Sequence, residues 1–215
     1  MVERSAPSRG LEDVVMADSS ISLVEGERGW LVYRGFDVGG LMDGPTYESI
    51  VQLLVHGDPP ESDPPRELSS YLAEHRTGTP AAERAADALG PNVPPMDALR
   101  TAVSALGDGS LGFPPTIEQG LDLVARAPTL LARHRRRSSG LPIVPPRPDL
   151  GHVANYLWML NGVEPDPAKV RALERYFILL ADHGMNASTF ALRVVLSTNS
   201  DLASAATAAL GALKG

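Results

Sequence analysis

Helical spacing of apolar residues is the feature that most constrains this chain. Beyond residue 33, apolar residues recur every three or four positions, and Pro or Gly separates one such stretch from the next. This spacing places apolar side chains on one face of a helix. It predicts helices at 47–55, 67–74, 80–89, 96–106, 116–136, 152–160, 167–183 and 201–214. The longest has an apolar face formed by Ile117, Leu121, Val124, Pro128 and Leu131, and we expect Pro128 to kink it.

The region before residue 34 follows a different pattern. β-favouring residues at 21–24 and 30–33 flank a turn-forming stretch at 25–29, which predicts a hairpin. The fold class that follows is all-α and multi-helical, with a small N-terminal β-hairpin. Residues 1–9 are polar and rich in Pro, Gly and Ser, so they are predicted to form a flexible tail. The Pro-rich stretch 141–149 is predicted to be an extended connector.

Composition excludes several classes of function. The chain has 215 residues, enough for one large domain, and a net charge of −7 spread along the sequence, which argues against a nucleic-acid partner. It contains no cysteine, so disulfides, thiolate nucleophiles and cysteine-ligated zinc are excluded, and no acid and histidine cluster has metal-site spacing. It has no membrane-length apolar run and no apolar signal-peptide stretch near its start. We therefore expect a cytoplasmic protein without a metal site or membrane contact.

Four of the five histidines have structural explanations. His56 and His75 lie at predicted helix ends, where a cationic side chain complements the helix dipole. His134 begins the run HRRR at another helix end, a basic cluster that could hold a phosphate but also favours a helix C-terminus. His152 starts a helix, and we expect it to be a structural or partner-packing residue.

His183 differs, because the pattern directs it toward the protein interior. It follows Leu180 by one turn on the apolar side of the helix predicted at 167–183, just before Gly184. Asp182 and Asn186 supply hydrogen-bond partners for the ring and donors for an anionic ligand. From spacing alone, a ligand-binding histidine and a satisfied core histidine both remain open.

Sequence motifs around His183 resemble those of a known family. The segment ADHGMNASTF at 181–190 resembles the signature of citrate synthases and 2-methylcitrate synthases. Five further segments match the family in its own order, namely GLEDVVMADSSISLVEGERGWLVYRGFDVGGL, YESIVQLLVHGDPP, PMDALRTAVSALG, LPIVPPRPDLGHVANYLWMLNGVEPDP and SAATAALGALKG. The resemblance implies that residues 10–215 are the N-terminal large-domain portion of such an enzyme, with the small domain and C-terminal part absent.

The resemblance also implies a reaction and its residues. The family condenses acetyl-CoA with oxaloacetate to give citrate and CoA in the tricarboxylic acid cycle, without metal or cofactor, as a homodimer formed through large-domain helices. By motif, His183 corresponds to the family histidine that contacts the oxo acid, so it is implied to be catalytic and substrate-binding. Asn186 is implied to bind substrate in the same pocket wall. The family's Pro-x-His-Gly-Gly histidine, catalytic aspartate and carboxylate-binding arginines have no counterpart here, so we expect this chain alone to be inactive.

Two departures from the family pattern leave alternatives open. Leu180 stands where many members have the first histidine of His-Ala-Asp-His-Gly, and Pro94 stands where a His-Pro-Met motif has its histidine. These losses fit either a changed substrate or a site relaxed toward packing. The alternatives are a 2-methylcitrate synthase that uses propionyl-CoA, a half-enzyme subunit that needs a partner chain, and a non-catalytic relative.

Overall fold

The computed structural model describes residues 18–107, 109 and 111–214. The predicted tail at 1–9 lies outside these residues. Within them the chain forms three short strands and ten helices. The strands are β1 (Ser22–Glu25), β2 (Trp30–Tyr33) and β3 (Phe36–Asp37). The helices are α1 (Val38–Leu41), α2 (Tyr47–His56), α3 (Arg66–Glu74), α4 (Pro80–Asp87), α5 (Pro95–Ser104), α6 (Ile117–Ser138), α7 (His152–Asn161), α8 (Pro167–Leu179), α9 (Ala187–Leu196) and α10 (Leu202–Leu213).

The strands form one small antiparallel sheet in the order β1-β2-β3. Ser22 pairs with Tyr33 and Glu25 with Trp30, so the predicted hairpin is confirmed. A 3-10 turn at Gly26–Arg28 joins the two strands and ends at Gly29, whose φ of 61° suits a residue without a Cβ. Strand β3 was not predicted, because two residues are too few to show an alternating pattern.

The core consists of separate apolar clusters. The largest lies between α4, α5, α6 and α10, where small alanines such as Ala82, Ala102 and Ala203 let the helix backbones approach closely. A second cluster joins the hairpin to α1, α2 and α8 through Tyr33, Ile178 and their neighbours. This second cluster positions the end of α8, and with it the segment that contains His183.

Most of the longer helices start with a local cap, but α7 does not. Thr116, for example, accepts the Gln119 amide at the start of α6, while the Gln119 side chain accepts the Thr116 amide in return. At α7 the capping position is Gly151, which has no side chain to accept a hydrogen bond. Glu48 of α2 takes that role instead, since its Oε1 accepts the His152 amide at 2.6 Å. A carboxylate there also complements the positive end of the helix dipole.

The predicted helices are largely confirmed, with four differences, one of which is the four-residue helix α1, which was not predicted. Helix α8 ends at Leu179 and not at His183. Helix α9 was not predicted; none of its residues is fully buried, and residues 190–196 are apolar except for Arg193. In α6 the predicted face is partly wrong: Leu121 is buried, but Ile117 is 48% exposed. Pro128 lies inside a continuous helix, and 141–149 is non-helical as predicted.

No helix within the described ranges is long and apolar enough to cross a membrane.

Candidate functional site

His183 lies in the loop between α8 and α9, and its side chain is exposed. The expectation that a helix ending at His183 would direct the ring inward is therefore wrong. Among the described residues, no hydrogen bond to the His183 ring is present. The ring is available to a ligand, whereas the backbone on both sides of it is fixed.

Tyr33 explains where α8 ends. In a continuing helix, the Asp182 amide would donate to the Ile178 carbonyl. Instead that amide donates to the Tyr33 hydroxyl at 3.2 Å. The hydroxyl in turn lies 2.9 Å from the Ile178 carbonyl oxygen and 3.2 Å from that of Leu179, and these two acceptors share its single proton. The hydroxyl thus replaces the next helical hydrogen bond, and the chain leaves the helix before His183.

Asp182 fixes the other side of His183. Its Oδ1 accepts the Gly184 amide at 2.9 Å and also the Ser22 hydroxyl of β1. Gly184 has a φ of +69°, a left-handed conformation that glycine adopts without steric cost. Burial raises the pKa of Tyr33, with a smaller contribution from the nearby Asp182 carboxylate, so the hydroxyl keeps its proton and can donate it.

Asn186 caps the helix that follows. Its Oδ1 accepts the Thr189 amide at 2.9 Å and the Ser188 hydroxyl at 2.7 Å. Among the described residues, no hydrogen bond from its Nδ2 group is present. The exposed ring of His183 and the Asn186 amide thus lie on one short loop, which leads into the positive end of α9.

A cleft of about 400 Å³ adjoins this loop. It is lined mainly by apolar side chains of α2 and α6, together with Ala181 and Asp182 of the loop. Arg34 also borders it, but its guanidinium donates to the Leu54 carbonyl at 2.9 Å. The cleft suits an apolar group better than a charged one.

Three other histidines lie at or near helix ends, as the sequence predicted. His56 ends α2 beside Gly57, which has a φ of 85°. His75 ends α3, stacks on Tyr71 at 4.0 Å between ring centroids, and has Nδ1 2.8 Å from the Tyr71 carbonyl oxygen. Nε2 of the buried His134 lies 2.9 Å from the Val93 carbonyl oxygen.

The basic run after His134 is also used within the fold. Arg136 is buried and donates to the Leu160 carbonyl at 3.1 Å and to the Pro142 carbonyl. Arg137 pairs with Asp87 at 3.3 Å. Two of the three arginines, Arg136 and Arg137, thus already have partners, which favours the structural interpretation of this run, while Arg135 is exposed.

His152 is the buried counterpart of His183. Its ring stacks on Tyr47 at 5.3 Å between centroids, and burial, together with the charge of Arg76, lowers its pKa to about 4. Burial raises the pKa of the adjacent Glu48, an effect opposed by the hydrogen bond from the His152 amide. The expectation of a structural or packing role agrees with this position.

The two departures from the family pattern lie on the surface. Leu180 follows the end of α8 and is 53% exposed, and Pro94 is an exposed residue that precedes α5. Neither fills a buried wall within the described residues. The same described residues contain no group of three or more His, Cys, Asp or Glu side chains that could hold a metal ion.

The sequence did not single out Tyr33 or Ser22. Both lie in the hairpin, 149 and 160 residues before Asp182, so no local pattern connects them with the loop. The only available signal was the motif resemblance itself, which includes the hairpin segment.

The known proteins that this chain resembles in sequence all belong to one family. The family model described as "Citrate synthase, C-terminal domain" matches residues 10–215. A citrate synthase of Haloferax volcanii is 39% identical over 96% of this chain and 57% of its own length. A 2-methylcitrate synthase of Mycobacterium tuberculosis is 38% identical over 99% of this chain and 55% of its own length.

Solved structures give the same result. The chain superimposes on citrate synthase from Pyrobaculum aerophilum with a TM-score of 0.85 and 41% identity, covering 96% of this chain and 55% of that one. The Thermoplasma acidophilum citrate synthase, solved in a ternary complex with carboxymethyl coenzyme A and oxaloacetate, gives a TM-score of 0.89 at 26% identity, covering 99% of this chain and 57% of that one. The chain thus spans little more than half the length of these relatives, and on sequence and fold together it belongs to the citrate synthase family.

Proposed function

We propose that the full-length protein condenses acetyl-CoA with oxaloacetate to give citrate and CoA, with His183 as a catalytic residue that also binds substrate and Asn186 as a substrate-binding residue. The observation that supports this most directly is the contrast within one loop. The backbone around His183 is held by Tyr33, Asp182 and Asn186, while the ring itself is exposed. Such an arrangement positions the backbone of the histidine and leaves both ring nitrogens available to a ligand.

The chemistry of condensation suits a histidine in this position. The acetyl methyl group must lose a weakly acidic proton, and the oxo-acid carbonyl must be polarised for attack. An imidazole N–H donated to a substrate carbonyl oxygen stabilises the negative charge that develops there. We assign no residue of this chain as the base that removes the methyl proton, and propose that another part of the full-length protein supplies it.

Asn186 and α9 offer a complementary environment for an anion. The Asn186 Nδ2 group is a donor, and the N-terminus of the ten-residue helix α9 begins directly after it. The carboxylates of oxaloacetate would be stabilised by both. This is the reason to place the oxo acid, and not the CoA moiety, against this end of the loop.

A 2-methylcitrate synthase that uses propionyl-CoA is the second candidate. It is supported by relatives of that name whose identity to this chain, 38%, is nearly that of the citrate synthases. The two reactions share the oxo acid and differ by one methylene of the acyl group, which an apolar pocket discriminates by about 10–200-fold.

A homodimer in the cytoplasm is part of the same proposal. Helix α9 has no buried residue, and Tyr176 and Val194 are exposed on α8 and α9. Apolar surface of this kind is suited to an interface between two copies. The molar mass of the full-length protein, measured by light scattering, tests the dimer, and a monomer at micromolar concentration would contradict it.

The direct test of the function is a coupled assay of CoA thiol release. The full-length protein is incubated with oxaloacetate and either acetyl-CoA or propionyl-CoA, with a control lacking oxaloacetate to measure simple thioester hydrolysis. We expect oxaloacetate-dependent release, with a larger kcat/KM for acetyl-CoA. A larger value for propionyl-CoA would favour the second candidate. No oxaloacetate-dependent release from either thioester would contradict both and support a non-catalytic relative or a subunit that needs a partner chain.

A further inference from the structure

The hairpin contacts the His183 loop through side chains that the reaction itself does not require. Tyr33 is fully buried, and its hydroxyl occupies the place of a helical hydrogen bond between Asp182 and Ile178. The carbonyl of Asp182 also lies 3.1 Å from this hydroxyl. One phenol group therefore fixes both the end of α8 and the residue immediately before His183.

The hydroxyl is itself held in a fixed position. The Tyr33 ring packs in the apolar cluster with Ile50 and Leu53 of α2. The next residue, Arg34, donates its amide to the Ile21 carbonyl at 2.9 Å and its guanidinium to the Leu54 carbonyl at 2.9 Å. The end of β2 is thus anchored to the end of α2, so a shift of the hydroxyl would require a shift of the core.

A second contact comes from β1. The Ser22 hydroxyl donates to Asp182 Oδ1, the same atom that accepts the Gly184 amide. A Cβ on Gly184 would lie 3.6 Å from a Val24 methyl group, so the strand also packs against the turn that follows His183. The hairpin therefore contacts the residues directly before and after His183.

We propose that Tyr33 and Ser22 are positioning residues, which set the location of the His183 ring by ending α8 and by orienting Asp182. This inference rests on the proposed function, since it assigns the residues that hold the catalytic histidine. Reacting groups must be held to within a fraction of an ångström, and a displacement of about 1 Å costs up to about 100-fold in rate. The hairpin is thus a functional part of the site although it does not contact substrate.

Tyr33→Phe in the full-length protein tests the inference. It removes one oxygen atom and keeps the ring that fills the core. We expect kcat to fall by about tenfold or more, with a smaller change in KM for oxaloacetate, and amide hydrogen exchange at Asp182 and Gly184 to accelerate by a similar factor. Tyr156→Phe is the matched control. It also removes one phenol hydroxyl, here from a half-buried ring that packs against Phe177 of α8, but among the described residues this hydroxyl makes no hydrogen bond to the His183 loop.

Ser22→Ala is the second variant, which remains informative if Tyr33→Phe does not fold. We expect a smaller fall in kcat, about threefold, and faster exchange at Gly184, with the melting temperature within about 2 °C of the parent protein. Unchanged kcat and unchanged exchange in both hairpin variants would overturn the inference, as would equal effects of Tyr33→Phe and Tyr156→Phe. The exchange measurement does not depend on catalysis. If the parent protein proved inactive, the proposed function would fail, while the exchange data would still decide whether the hairpin holds the loop.

Discussion

Two histidines of this chain, His152 and His183, lie at opposite extremes of environment. His152 is buried, stacks on Tyr47 and has a pKa lowered to about 4 by burial and by Arg76. His183 is exposed, and its neighbours fix its backbone instead of its ring. The comparison shows that a histidine can be held in two ways. The fold uses the ring of His152 for packing and leaves the ring of His183 for a ligand.

The largest effect is expected for His183→Ala. If the ring polarises a substrate carbonyl, kcat of the full-length protein should fall by about 100-fold or more, a barrier increase of about 3 kcal/mol. The free energy of unfolding should change by less than about 0.5 kcal/mol, because the ring is exposed. Steady-state kinetics and urea unfolding measure the two quantities.

His56→Ala is the matched control for that variant. His56 is also exposed and also precedes a glycine in the left-handed conformation, but it lies at the end of α2. We expect its kinetics to stay within about twofold of the parent protein. Equal kinetic losses in the two variants would mean that His183 has no special role.

The buried His152 should change how the free energy of unfolding depends on pH. Because its pKa falls from 6.5 to about 4 on folding, the native state binds fewer protons than the unfolded state between these pH values. Stability from this group is therefore present above pH 6.5 and is lost as the pH falls toward 4. Between pH 7 and pH 5 the loss amounts to about 2 kcal/mol.

His152→Phe isolates this effect. The variant keeps an aromatic ring against Tyr47 but cannot take up a proton. Glu48 works in the opposite direction, since its raised pKa favours the native state as the pH falls, and it remains in both proteins. Urea unfolding at the two pH values should therefore show about 2 kcal/mol less acid destabilisation in the variant. Identical pH dependence would show that His152 is not held neutral in the native state.

Asn186 is proposed both to cap α9 and to bind substrate, and two variants separate these roles. Asn186→Ala removes the cap of α9 and should lower the free energy of unfolding by about 1 kcal/mol, whereas Asn186→Ser keeps a capping oxygen and should cost only a few tenths. Both variants should raise KM for oxaloacetate. A normal KM in the Ser variant would restrict Asn186 to capping.

The smallest effect is expected for Leu180→His, which restores the family pattern beside the loop. The side chain is 53% exposed, so we expect the free energy of unfolding to change by less than about 0.5 kcal/mol. We expect kcat to stay within about threefold, because an exposed side chain imposes little on the His183 ring. A restoration of activity by this substitution in an otherwise inactive protein would support the non-catalytic relative over the synthase.

The sequence predicted most of the fold because the helices that pack against the core leave a local pattern. The hairpin at Ser22–Tyr33 and the helices α2 to α7 and α10 were all foreseen, with end points shifted by one or two residues. Helix α9 was missed although residues 190–196 are apolar except for Arg193, because a short and nearly continuous apolar run does not distinguish a helix from a strand.

The site was predictable by motif but not by geometry. The segment around His183 identified the histidine, while its burial was wrongly inferred from the face of a helix that ends at Leu179. That end is set by Tyr33, which lies 149 residues before Asp182. No local pattern contains such a contact, so His183 was placed on the wrong structural element even though the residue itself had been singled out. Whether residues 10–215 form the large-domain portion of a longer enzyme stays a prediction.

The cap of α7 by a residue of α2 has a consequence for how the molecule opens. Since the capping carboxylate lies 104 residues before the amide it binds, the first turn of α7 loses its acceptor whenever α2 separates from it. The two helices should therefore lose protection together in native-state hydrogen exchange, as one cooperative unit. Although α2 and α7 are distant in sequence, they would then have the same free energy of opening. A surface loop between them would open at a lower free energy.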